Sequence, residues 1–302
     1  MRSIKSSVKG WKTAGMGLAV LIVLQQALGL GAAWPQELAQ PRMDEEISKQ
    51  EKSFQRRGAD VPSGYITNRG LSDYAELLPT GFCDALGRLG SSDRWLDIGA
   101  GEGQAILDYY ALEDDAAPAE KCARSFSKAR AVAMSIEDRR TDKWRQQAAI
   151  FGADRIRYLS GKSLRHYSVE ELGKFQIITD VFGGFTYTAD LSQFVDKVLS
   201  LLEVGGVFYT MVQGVHLEGG KDKPSTWYET ELVDAAGRDE KVCSWLKTTS
   251  CVQVTCESKS DWDSPTELIR IQKVCSDVSV PRTKLLKFEA GNPPGRRFQL
   301  ER

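Results

Sequence analysis

The chain has 302 residues, 41% of them hydrophobic and 27% charged, which is enough apolar matter for one large or two small domains and excludes wholesale disorder. With 40 basic and 41 acidic side chains the formal net charge is -1, so there is no overall basic field and a nucleic-acid partner is disfavoured. His166 and His216 are the only histidines, and neither a CxxC pair nor an HExxH run is present, which argues against a metal site.

Residues 1–33 read as a targeting segment. Arg2, Lys5, Lys9 and Lys12 precede an apolar centre, Met16 to Leu24, and Gly31-Ala32-Ala33 offers small residues before Trp34. The short apolar centre favours a cleaved signal peptide. The uncharged stretch through residues 13–33 is also long enough for a membrane anchor. Both place the body outside the cytoplasm, in a periplasmic, lumenal or secreted location. A start at Met43 instead would remove the apolar run and leave a cytoplasmic protein.

Residues 34–63 are polar, with Pro41 and Pro62, and read as a linker and a mobile helix. Apolar and aromatic groups return from Gly64. Tyr65 and Tyr74 are candidates to cover a ligand, or ordinary core aromatics.

Trp95-Leu96-Asp97-Ile98 then runs into Gly99-Ala100-Gly101-Glu102-Gly103 and a helix-like segment, Ala105 to Tyr110. This is a strand, a tight turn and a helix start, where unpaired N–H groups face outward. A dinucleotide fingerprint would need Gly or Ala at Gln104. The register instead closely resembles the first motif of class I S-adenosylmethionine-dependent methyltransferases. That resemblance implies S-adenosylmethionine as cofactor, with Asp97, Gly99, Gly101 and Gly103 against its methionine end.

Ala129 to Met134 is the second strand, followed by Ser135-Ile136-Glu137-Asp138. In the family a carboxylate near this point accepts the ribose hydroxyls, and Glu137 is the candidate, with a solvated surface charge as the other reading. Thr141 to Phe151 is a helix pattern and Arg155 to Leu159 the third strand. The acidic residue that the family often places after that strand is absent from Ser160-Gly161-Lys162-Ser163.

Phe175 to Asp180 is the fourth strand, leading into Val181-Phe-Gly-Gly-Phe-Thr-Tyr187. By resemblance this is the methyl-transfer loop. Asp180 is then the candidate catalytic group and Phe182, Phe185 and Tyr187 the candidate acceptor-site aromatics. Asp180 as a helix cap or strand-end residue is the competing reading.

Leu191 to Leu202 presents one apolar helix face that Gly205-Gly206 would end, and Val207 to Val212 is a strand. A lid-like stretch from Gln213 to Trp227 and a helical region from Tyr228 to Thr248 follow. Val252, Val254 and Cys256 alternate with polar residues, and Leu268 to Val274 pairs with them as an antiparallel hairpin.

The expected fold is α/β, a seven-stranded mostly parallel Rossmann-like sheet with helices on both faces and that C-terminal hairpin. The methyltransferase domain spans 64–280, and 281–302 is a tail, either solvated or covering a strand edge. Of six cysteines, Cys243, Cys251, Cys256 and Cys275 cluster late, so an exported chain would pair them with one another; in a cytosolic chain they would stay thiols. The function expected is methyl transfer to a small-molecule or peptide-borne acceptor. A non-catalytic exported binding module with the same fold is the alternative, and a nicotinamide oxidoreductase is opposed by Gln104.

Overall fold

Five short apolar runs become the parallel strands of one sheet: β1 (Arg94–Ile98), β2 (Arg130–Met134), β3 (Ile156–Leu159), β4 (Phe175–Asp180) and β5 (Leu202–Gln213). The structure is a computed structural model describing residues 40–54, 66–111, 128–213, 215–216, 227–228, 230–259 and 266–301. The leader expected at 1–33, Tyr65, Cys122 and most of the lid-like stretch lie outside the described residues. Those described all fall within one unit, Leu38–Arg302.

Short pairs β6 (Val215–His216) and β7 (Trp227–Tyr228), then β8 (Thr230–Val233) and β9 (Asp239–Glu240), precede the hairpin of β10 (Val252–Lys259) and β11 (Thr266–Lys273). The seven-stranded sheet has the order β10-β11-β5-β4-β1-β2-β3, with β11 antiparallel to both neighbours. The expected sheet and its terminal hairpin are both present.

β1 is buried along nearly its whole length because helices cover both faces. Trp95, Ala131, Ala133 and Ile177 face a core built with α2 (Leu71–Leu77), α3 (Phe82–Gly87), α4 (Gln104–Tyr110) and α5 (Asp142–Phe151). Alternate residues, Leu96, Ile98, Val132 and Ile178, face the other core, with α6 (Val169–Leu172), α7 (Gly184–Tyr187), α8 (Leu191–Leu201) and α9 (Val242–Lys247). That period of two is the strand pleat itself.

Four expectations change. The run from Leu202 to Gly206 does not end a helix: α8 stops at Leu201, and the glycine pair lies in an irregular entry to β5, where the pairing shifts register. Little of Tyr228 to Thr248 is helical, since β8 and β9 occupy its first half. Of the two readings of residues 281–302 the solvated tail fails and the strand-edge cover holds: β12 (Thr283–Glu289) and β13 (Gly295–Leu300) form a second sheet of order β12-β13-β8-β9, with β13 along the edge of β8. β13 runs parallel to β8, and Phe288 and Phe298 are buried, so this segment completes a core.

The fourth change concerns residues 34–63, where the polar helix α1 (Gln40–Ser53) is docked. Glu46 accepts the backbone N–H of Ala290 and Gln50 that of Gly291, each at 2.8 Å. Met43 and Gln50 are buried.

The late cysteines pair with one another, as expected for an oxidised chain. Cys243 joins Cys256, tying α9 to β10, and Cys251 joins Cys275 across the open end of the hairpin. Among the described residues no helix is long and apolar enough to cross a membrane.

Candidate active site

A cleft of about 240 Å³ opens at the carboxyl ends of β1, β2 and β4. The chain reverses its order of strand addition between β1 and β4, and a crevice at such a switch point is where open parallel sheets bind ligands. Gly99 and Gly101 line its floor, Met134 to Glu137 one side, and Phe182, Gly183 and Tyr187 the other. Ile47, Gln50 and Phe54 close it from above, together with Ile66, Thr67 and Arg69.

Each glycine of the turn has positive φ, and each would collide with a different segment if it carried a Cβ. Gly99 abuts the backbone of Gly183, Gly101 the carbonyl of Thr67, and Gly103 the ring of Trp144. Close approach of the chain to itself therefore demands all three. Thr67 is fastened there, accepting the N–H of Glu102 at 2.6 Å and donating its hydroxyl to the Glu102 carboxylate at 2.9 Å. On the far side Tyr158 in β3 donates to the carbonyls of Gly101, at 2.5 Å, and Glu137, at 3.2 Å, joining the two turns.

Of the residues singled out from sequence, Gly99, Gly101, Glu137, Phe182 and Tyr187 reach the cleft. Glu137 is 9% exposed, and one carboxylate oxygen lies 3.2 Å from Arg139. Tyr187 donates its hydroxyl to Asn292 and meets Phe54 edge to face at 5.4 Å.

Asp97, Gly103, Asp180 and Phe185 do not line it. Asp97 is fully buried beneath the turn, accepting from Tyr74 and Thr179, so it faces protein where a cofactor was expected. Tyr74 is thereby a core residue as well. Phe185 packs between Phe194 and Phe208 because α7 turns it into the core.

Of the two readings of Asp180, its geometry is that of the turn-capping, strand-end residue. It is fully buried, and its two oxygens accept the backbone N–H groups of Gly183 and Phe185, each at 3.0 Å. Burial pushes its pKa up to about 7 against the pull of these bonds and of nearby Arg296. The carboxylate caps its own turn and does not open on the cleft. The turn it caps contains Phe182, whose φ of 52° is a strained value for a non-glycine.

Several site residues escaped the sequence reading. Arg296 of β13 is 2% exposed and donates to the carbonyls of Phe185 and Thr188 at 2.9 and 2.8 Å. Burial lowers its pKa to about 9. It holds the β4 turn from behind, from a segment with no local signal of that role. Arg69, Arg139 and Tyr158 were likewise unmarked, since no motif spacing ties them to the glycine turn.

No protein-family model matches the chain, and no curated protein matches it. Solved structures do. An rRNA methylase from Streptococcus thermophilus is 12% identical, with 70% of this chain and 100% of that one covered and a TM-score of 0.40. Phosphoethanolamine N-methyltransferase 2 from Haemonchus contortus, in complex with S-adenosyl-L-methionine, is 10% identical, with 78% and 58% covered and a TM-score of 0.45. These likenesses concern the course of the chain.

Proposed function

We propose that the chain is an S-adenosylmethionine-dependent methyltransferase of the class I type. The carrying observation is that the glycine turn after β1, a buried carboxylate after β2 and the aromatic turn after β4 converge on one cleft at the sheet's switch point. The residues present fit the cofactor: Gly99 and Gly101 present bare backbone to the cleft, and Glu137 keeps one carboxylate oxygen without a protein partner among the described residues. Glu137 would accept the ribose hydroxyls, and Ile136 and Leu164 offer apolar surface for the base.

The cofactor supplies an already activated methyl group, so the protein's work is to align and to exclude water. The β4 turn, set by Asp180 and Arg296, holds Phe182 and Tyr187 as the acceptor-side wall. α1 and Thr67 roof the cleft. Asp180, engaged by backbone N–H groups, contributes by positioning the β4 turn rather than as a base.

Calorimetric titration of S-adenosylmethionine and S-adenosylhomocysteine into the oxidised full chain tests this. Micromolar binding, weakened about tenfold or more by Glu137→Gln, is the expected result. No heat from either compound in folded protein would favour the non-catalytic binding module.

A further inference from the structure

Five cations line the cleft: Arg69, Arg139, Lys162, Arg165 and Lys197. Three are spoken for. Arg139 lies 3.2 Å from Glu137, Arg165 3.1 Å from Glu51 and Lys162 3.4 Å from Glu171. Lys197 is half-exposed and sits in the field of Glu170.

Arg69 differs from all of these. Its guanidinium lies over the ring of Phe182, 4.7 Å from the centroid, and makes one hydrogen bond, from Nη1 to the carbonyl of Ile66 at 3.0 Å. Among the described residues no carboxylate pairs with it, and a guanidinium carries five N–H donors. Desolvation lowers its pKa more than the fields of Tyr74, Tyr187 and Asp73 raise it, so the charge is held partly out of water. Beyond the bond to Ile66, no other hydrogen bond of the guanidinium is made among the described residues, and a planar guanidinium can grip carboxylate or phosphate oxygens in pairs.

Arg69 touches Phe182 and Ile66, and the cleft that it lines also carries Ile47, Phe54 and Phe288 as apolar surface among its polar residues. Thr67 ties this segment to the glycine turn, while the Arg69 guanidinium itself stacks on Phe182 of the turn after β4, which puts the charge on the acceptor-side wall.

We propose that Arg69 reads a carboxylate or phosphate on an otherwise apolar acceptor, so that the substrate is an amphiphilic organic anion. This rests on the methyltransferase reading, which assigns the glycine end to the cofactor.

The test is calorimetry on the oxidised full chain with 4-phenylbutyrate, 4-phenylbutyl phosphate and uncharged 4-phenylbutanol, each with and without saturating S-adenosylhomocysteine. With S-adenosylhomocysteine present, at least one anion should bind about tenfold or more tighter than the alcohol, and the stronger anion identifies the headgroup. Arg69→Met, checked for an unchanged unfolding midpoint, should erase that preference. The wild-type comparison needs no variant. Equal binding of anions and alcohol, or a preference that survives in Arg69→Met, overturns the proposal. Loss of anion binding when S-adenosylhomocysteine is added also overturns it, because Arg69 would then hold the cofactor's own carboxylate. If S-adenosylhomocysteine itself gives no heat, the cofactor reading fails separately, and the anion preference scored on the free chain still decides whether Arg69 reads anions.

Discussion

The phenol of Tyr74 in α2 stands 2.9 Å from each carboxylate oxygen of Asp97 at the end of β1. Thr179 of β4 donates to the same carboxylate at 2.7 Å and itself accepts from the Trp95 indole at 2.8 Å. One acid thus gathers a helix and two strands immediately beneath the glycine turn.

This acid makes stability depend on pH. Burial raises Asp97 from 3.8 to about 7, so over that interval the folded state binds more protons than the unfolded one. Its contribution is fully present below 3.8 and is lost as pH rises through about 7. Asp97→Asn removes the titration, so the unfolding midpoint of the variant relative to wild type should climb between about pH 4 and pH 8. Calorimetric melts across that range check it, and a flat difference would show that Asp97 titrates normally.

Two glycines separate backbone strain from collision. Gly101 and Gly161 both have positive φ, +54° and +89°, but a Cβ at Gly161 meets nothing while one at Gly101 strikes the Thr67 backbone. Gly161→Ala should cost about 1 kcal/mol from conformation alone. Gly101→Ala should cost about 2 kcal/mol more, because the covering segment must shift. Urea unfolding of the two variants distinguishes them, and equal losses would mean that Thr67 yields freely.

Asp180 is predicted to act on the fold. Asp180→Ala strips the acceptor from two buried N–H groups and should lower stability by about 2–4 kcal/mol in urea unfolding. A loss below about 0.5 kcal/mol would instead restore Asp180 as a candidate for chemistry.

The glycine turn could be read from sequence because its signal is local: an apolar run, three glycines and a helix start within a dozen residues. The same holds for the terminal hairpin, whose alternation is visible strand by strand. The second sheet could not be read so, since β8 takes its parallel partner from β13 at the other side of the hairpin, and neither strand alternates over more than a few residues. The roles expected of Asp97 at the cofactor and of Asp180 in the chemistry follow from the family resemblance of their motifs. Their actual donors, Tyr74, Thr179, Gly183 and Phe185, depend on which way each carboxylate turns, and spacing does not encode that.

The hold of α1 on the loop after β12 also bears on biosynthesis. Glu46 and Ala290 are 244 positions apart, and a chain emerging from the ribosome builds its amino-terminal parts first. The central strands, β1 to β5, can pair well before β12 and β13 exist. Until those last strands emerge, α1 has no loop to grip and Arg296 is missing from behind the β4 turn. A nascent chain would therefore carry an unroofed pocket with a loose wall until β12 and β13 have been made, and competence to hold a ligand would wait for them.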